Sequence, residues 1–294
     1  MAKKIMNLNE RSEELFNQDK FDEIIELLTD KILEEQNDAE LYAWRGNAWH
    51  NKMEYGKSIV DYNKAIKNNP DDAELYVWRG NAWYNKTEYD KAIDDYTKAM
   101  DLNPDSEDAY FSRGLVWQSR KENDKAIIDF NKAIEIYNKV IKNSPDDSKL
   151  YFGRGNTWYY QENYEKAKAD YTKAIDLKSD FVFAYYNRGL ASFAKKEYDK
   201  AIEDYTKVIG FRPNSDVYYV DRGNALKANG KYEEAIENYT KAIEINPESE
   251  NAYYIRGLVK KGKNIDLEGS GKSSERCPLV PNLNCPLKKL YNYP

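Results

Sequence analysis

Residues 73–106 read AELYVWRGNAWYNKTEYDKAIDDYTKAMDLNPDS. Apolar and small residues fall at helical spacing twice in this stretch. Leu75, Tyr76, Gly80, Trp83 and Tyr84 precede the polar segment 85–88, and Tyr89, Ala92, Ile93, Tyr96, Ala99 and Met100 follow it. The pattern predicts two antiparallel helices. Pro104 cannot continue the second one and biases Asn103 away from helical backbone, so it ends the unit. A glycine inside a helix costs about 1 kcal/mol relative to alanine, so Gly80, like Ala92, is expected where two helix backbones approach.

Outward from this stretch, Arg79-Gly80 has equivalents at Arg45-Gly46, Arg113-Gly114, Arg154-Gly155, Arg188-Gly189, Arg222-Gly223 and Arg256-Gly257. The interval is 34 residues throughout, except between Arg113 and Arg154, where it is 41. A period of this length marks stacked copies of one supersecondary unit. The register sets the copies at 5–38, 39–72, 73–106, 107–147, 148–181, 182–215 and 216–249, with a capping helix at 250–263 and a flexible Gly-, Ser- and Pro-rich tail at 264–294. In the fourth copy FNKAIEI (130–136) is followed by YNKVIKN (137–143), a duplicated heptad. Two outcomes are open, a protruding helix end or a changed angle between the fourth and fifth copies, and the protrusion is the favoured expectation. The first copy is degraded, with Arg11-Ser12 for Arg-Gly and Ile24, Leu27 and Gln36 at the small, acidic and proline positions.

The series Tyr76, Gly80, Trp83, Ala92, Tyr96 and Pro104, repeated in register, resembles the tetratricopeptide repeat family in an Arg-Gly variant. The resemblance covers roughly residues 5–263. It implies an all-α fold, a right-handed α-solenoid of about seven stacked antiparallel helix pairs plus the capping helix. It further implies a protein–protein interaction role with the first helices lining a concave groove. The chain departs from the family in placing arginine where an apolar residue is usual, and an acid answers it in the second helix: Asp61, Asp95, Asp129, Asp170 and Asp204, with Asn238 in the seventh copy. A buried arginine is tolerated when paired in a forked geometry. An Arg–Asp ladder within or between repeats is therefore expected.

Carried over by position, the inward-facing candidates for peptide binding are Asn47, His50, Asn51, Asn81, Tyr84, Asn85, Phe111, Phe152, Asn156, Tyr159, Tyr160, Tyr186, Phe193 and Asn224. The asparagine row offers both a donor and an acceptor to a peptide backbone, and the aromatics offer a patch for apolar side chains. Either set also has a bland role, in bonding or packing within the solenoid. The position at which the family's chaperone-binding branch carries its clamp lysine reads Asn9, Ala43, Val77, Phe111, Phe152, Tyr186 and Val220, so no carboxylate-clamp chaperone binding is expected.

Composition narrows the function classes. A net charge of −6 argues against a nucleic-acid partner, which needs a basic footprint, and the 26 Tyr and 6 Trp must be packed or form a binding face. No apolar run reaches signal-peptide or membrane-span length, so a cytoplasmic location and no membrane partner are expected. His50 is the only histidine, and Cys277 and Cys285 are the only cysteines, which leaves no basis for a metal site, a cofactor or acid–base catalysis. The expectation is a non-enzymatic adaptor that binds an unidentified protein or an extended peptide or helix in its groove. Its rivals are a scaffold assembling through its ends or convex face, and a groove occupied by the chain's own tail.

Overall fold

Asp38, Asp72, Ser106 and Asp147 stand at four helix starts, and each accepts a backbone N–H with its side chain, at 2.8, 3.0, 3.4 and 2.8 Å. These caps satisfy donors that a helix start leaves unpaired. The structure is a computed structural model that describes residues 7–268. Those residues form helices joined by short turns, with no strand among them. They fall into two units, with the boundary between Ile136 and Tyr137.

The first unit contains α1 (Leu8–Asn17), α2 (Phe21–Leu27), α3 (Asp30–Gln36), α4 (Ala39–Asn51), α5 (Tyr55–Asn68), α6 (Ala73–Asn85), α7 (Tyr89–Leu102), α8 (Glu107–Ser119) and the first part of α9 (Asn123–Asn143). The second contains the rest of α9, then α10 (Ser148–Tyr160), α11 (Tyr164–Leu177), α12 (Val182–Ala194), α13 (Tyr198–Phe211), α14 (Asp216–Ala228), α15 (Tyr232–Ile245) and α16 (Glu250–Glu268). Each unit stacks antiparallel helix pairs, the all-α solenoid architecture. The two helices of a pair are joined by a turn with one left-handed residue, at Met53, Thr87, Lys121, Glu162, Lys196 and Gly230.

The glycine of each internal Arg-Gly pair lies under an aromatic ring of its partner helix. A Cβ there would come within 2.5 to 2.8 Å of Tyr62, Tyr96, Phe130, Tyr171, Tyr205 or Tyr239, too close for any side chain. Those six rings are at most 1% exposed, so the glycine gap is what lets the largest core residue in each copy bury itself.

The arginine beside it bridges three helices. In Arg79 the Nε and Nη2 atoms donate to both carboxylate oxygens of Asp95, at 2.8 and 2.6 Å, while Nη1 donates to Asn63 of the preceding copy at 2.7 Å. Arg113 reaches Asp129 and Thr97 in the same way, Arg154 reaches Asp170 and Asn138, and Arg188 reaches Asp204 and Thr172. The expected ladder is therefore within repeats for the carboxylate and between repeats for the third bond. Hydrogen bonding to their aspartates holds Arg113, Arg154 and Arg188 above the ordinary guanidinium pKa. Arg222 has only Asn238 Oδ1 at 2.8 Å and Thr206 at 3.1 Å, and burial lowers its pKa.

Three departures from the sequence pattern have local causes. The second helix of the first copy is broken into α2 and α3 because Thr29, at the position that bonds the next arginine elsewhere, caps α3 through its hydroxyl instead, at 3.4 Å. Arg45 then takes the Leu28 carbonyl at 3.0 Å and Asp30 at 2.7 Å in its place. The capping helix runs on to Glu268, beyond the expected 263. The duplicated heptad is part of one continuous helix. It extends α9 to 21 residues, with Tyr137 and Ile141 buried, and Asn138 is the residue that bonds Arg154.

Three outcomes follow for stability. Gly189→Ala should destabilise the chain by about 1–3 kcal/mol because the methyl group meets the Tyr205 ring. The same change at Gly257, which has nothing within 4 Å, should stabilise it by up to about 1 kcal/mol through helix propensity. Asn238→Asp should complete the fork to Arg222 and add about 1 kcal/mol, a gain that shrinks in molar salt. Urea denaturation followed by circular dichroism measures all three.

Candidate functional site

In the first unit the candidate residues sit on α4, α6 and α8: Asn47 and Asn81 directly follow the Arg-Gly pair, His50, Asn51, Tyr84 and Asn85 lie one turn further on, and Phe111 precedes its pair. The amide oxygens of Asn47 and Asn81 accept the hydroxyls of the buried Tyr62 and Tyr96, at 2.6 and 2.7 Å. Their own carbonyls accept from Asn51 and Asn85, both at 2.9 Å. The Asn85 amide also reaches Nε2 of His50 at 3.1 Å, which joins α6 to α4. With the amide donating, Nε2 is the acceptor and the imidazole proton sits on Nδ1. Tyr84 bonds Ser119 of α8 at 3.0 Å and packs on Tyr89, while His50 packs on Tyr55 with ring centroids 5.2 Å apart.

His50, Asn81, Tyr84 and Asn85 come together around one pocket, closed by Tyr96, Ser112 and Leu115. Its origin lies in the residue before each arginine. Trp44 and Trp78 hold this position in the second and third copies and pack on Phe16 and Tyr62. The fourth copy has Ser112, whose small side chain leaves space beside Tyr96. Asn81 is 6% exposed, and its amide nitrogen has no hydrogen-bond partner among the described residues.

The second unit carries the remaining candidates. The Asn156 oxygen accepts from Tyr171 at 2.9 Å and from Asn187 at 2.8 Å, and the Asn224 oxygen accepts from Tyr239 at 3.0 Å. Every asparagine of the row thus uses its acceptor inside the fold, which leaves only the donor half for a ligand. Tyr159, Tyr160 and Phe193 are half-buried, with Tyr159 packed on Tyr160 and Tyr164, and Phe193 on Tyr198.

Three of the expected groove aromatics are core residues instead. Phe111, Phe152 and Tyr186 are 4, 7 and 3% exposed, and they pack on Phe130, Tyr171 and Tyr205 of their own second helices. The helix turns this position toward its partner rather than toward the open side, and Ala43, Val77 and Val220 at the same place are buried too. Sequence reading also passed over Ser112 and Asn187. The signal was available: the residue before the arginine reads Trp44, Trp78, Ser112, Gly153, Asn187, Asp221, and it is the position whose size changes most.

Two carboxyls outside the pocket lining are raised well above their ordinary range. Glu107, in the first turn of α8, has its carboxyl pushed up to about 7 by burial, with Asp108, Asp105 and Glu74 adding like charge. Asp221 of the second unit is pushed up to about 6 by burial, and it accepts the Tyr186 hydroxyl at 2.6 Å. Among the described residues no helix is long and apolar enough to cross a membrane. Cys277, Cys285 and the rest of the tail from 269 lie outside the described residues.

Family models described as tetratricopeptide repeat match residues 73–106, 107–147, 148–181 and 182–215, and a TPR repeat model matches 54–87 and 223–263. The chain is a tetratricopeptide repeat protein. A tetratricopeptide repeat protein from Parabacteroides merdae has a similar crystal structure at 18% identity, covering 86% of this chain and 97% of that one with a TM-score of 0.58. YrrB, a TPR protein with an unusual peptide-binding site, aligns at 22% identity over 67% of this chain and 97% of its own, with a TM-score of 0.44. MamA aligns at 26% identity over 61% and 94%, with a TM-score of 0.43. No curated protein matches the chain significantly.

The raised Glu107 sets a pH signature for this tetratricopeptide repeat protein. A folded pKa near 7 against an ordinary 4.5 means its contribution is fully present below pH 4.5 and lost as pH rises through 7. Glu107→Gln should match the parent at pH 4 and exceed it by about 1–2 kcal/mol at pH 8. Thermal or urea denaturation across that range checks it, and equal stability at pH 8 contradicts the assignment.

Proposed function

We propose that the chain is an interaction adaptor without catalytic activity whose first unit seats an extended, mostly uncharged peptide along α4, α6 and α8. The observation that carries this reading is the pocket beside Ser112, which Asn81 lines with its amide oxygen already committed to Tyr96, so that its amide nitrogen is the donor left to face a ligand. A peptide carbonyl would accept from that nitrogen, and a small side chain would enter the space that Trp44 and Trp78 fill elsewhere. His50, held by Asn85, and Tyr84, held by Ser119, would form walls that are already ordered before binding, which lowers the entropic cost of recognition.

The electrostatics support the same selection. Glu40, Glu74, Glu107 and Asp108 stand in the first turns of α4, α6 and α8, so an acidic tail or a terminal carboxylate would meet like charge there. In the second unit, taken by itself, Tyr159, Tyr160 and Phe193, with the amides of Asn156 and Asn224, would offer a peptide the same chemistry.

Ser112→Trp tests the proposal. Trp44 and Trp78 show that the fold accepts the residue at this position, so the variant fills the pocket with the helices kept. Twelve-residue peptides selected by phage display against the full chain should bind the variant at least tenfold more weakly, and Ser112→Ala should bind them normally. Peptides that bind Ser112→Trp as well as the parent would overturn the groove reading.

A further inference from the structure

The seventh Arg-Gly pair is built like the other six and left open. Arg256 of α16 makes its inner bond, Nη1 to Thr240 at 3.1 Å, as Arg222 does to Thr206. Among the described residues it has no carboxylate partner, although Arg79, Arg113, Arg154 and Arg188 each hold an aspartate on Nε and Nη2. Gly257 has nothing within 4 Å of where a Cβ would stand, whereas the six equivalent glycines have an aromatic ring at 2.5 to 2.8 Å. Tyr254 is 66% exposed, and the residues at its position in the six other copies are 3 to 7% exposed. Leu258 and Tyr253 widen the same bare face, at 39 and 46% exposed.

The occupant of such a face is described six times within the chain. Every internal second helix presents a small residue, an aspartate or asparagine three positions later, then Tyr or Phe, then Ala or Val three beyond, as in Ala167, Asp170, Tyr171 and Ala174. The aspartate takes the arginine fork, the ring fills the glycine gap, and the small residues allow close approach. In the chain's own register the filling pair would be Lys272-Ser273, which offers neither acid nor ring. The six internal second helices already serve their own copies.

We propose that α16 is a docking face for an amphipathic helix of another protein that carries the sequence small-x-x-Asp-Tyr/Phe-x-x-Ala, completing the open repeat as an eighth helix pair. Arg256 supplies the charge that selects the aspartate, and Gly257 supplies the gap that selects the ring. The helix would be read by this register of acid and aromatic, so it is recognised differently from the extended peptide proposed for the first unit. The face lies on the end helix of the second unit, and it stands whether or not the groove reading does.

A synthetic peptide of residues 164–177 is the probe, held helical by a lactam between Ala169→Glu and Lys173, both exposed in α11. Labelled and titrated with the full chain by fluorescence anisotropy, it should bind saturably. Asp170→Lys or Tyr171→Ala in the peptide should weaken binding at least tenfold. In the chain, Gly257→Leu should do the same without lowering helicity or the denaturation midpoint, because among the described residues the site is empty around it and leucine is the better helix former. Arg256→Glu should lose the parent peptide and gain the Asp170→Lys peptide. The proposal is overturned by absence of binding or by binding that Gly257→Leu leaves unchanged. Self-association of the full chain in sedimentation that Gly257→Leu abolishes would also overturn it, because it would assign the face to a second copy.

Discussion

The contact between a helix glycine and a buried aromatic ring is the constraint from which the rest of this solenoid follows. A tyrosine that is 0 or 1% exposed needs a neighbour without a side chain, and glycine provides it, since a Cβ at that position would come within 2.8 Å of the ring. The helix-propensity loss of about 1 kcal/mol per glycine is offset by burial of an aromatic side chain. The arginine next to that glycine necessarily lies at the same helix crossing. It is there that a planar group with five donors reaches an aspartate sixteen residues ahead and a hydroxyl or amide sixteen residues behind. Each arginine thus ties one copy's two helices together and attaches them to the copy before, which is the nearest-neighbour coupling expected of a repeat array.

The same geometry explains why the one insertion in the array is a heptad. An ordinary second helix uses two residues as partners: Asp95 for its own arginine, and Thr97 for the next. In α9 these duties are divided. Asp129 serves Arg113, and Asn138, in the duplicated heptad, serves Arg154. Seven residues return a helix face to within about 20° of where it began, so Asn138 points as Thr97 does. An insertion of five or six residues would turn the partner away from the arginine, leaving a guanidinium half-buried without its third bond.

Most of the fold was legible because the period is rigid and each key position has a single physical job. Arg-Gly, the acid and the aromatic recur in register, and the pairing of Arg79 with Asp95 needed no structure to be expected. The groove was less legible for two reasons. Phe111, Phe152 and Tyr186 occupy a position where the helix turns toward its partner, and an aromatic there reads identically whether it packs or binds. The broken second helix of the first copy was hidden because Thr29 is a good helix neighbour and a good cap alike, and the choice depends on Arg45 having the Leu28 carbonyl and Asp30 within reach. A gap, moreover, is written as a small residue: Ser112 is informative only against Trp44 and Trp78.

That last comparison bears on how a repeat protein acquires specificity. The glycine, ring and arginine must be kept in each internal copy, since changing one strands a buried partner in another helix. The residue before the arginine has no single job of this kind, and it is there that the copies differ: tryptophan fills the space in two, serine leaves it open in one, Gly153 makes room for the Tyr137 ring, and Asn187 and Asp221 place polar groups in it. Asp221 illustrates the consequence. Its carboxyl is pushed up to about 6 by burial and is held by the Tyr186 hydroxyl alone, an arrangement that adds little stability and that no structural rule of the repeat requires. Binding chemistry is therefore expected where the repeat's own contacts are complete without the residue concerned, and Ser112 in the fourth copy meets that condition.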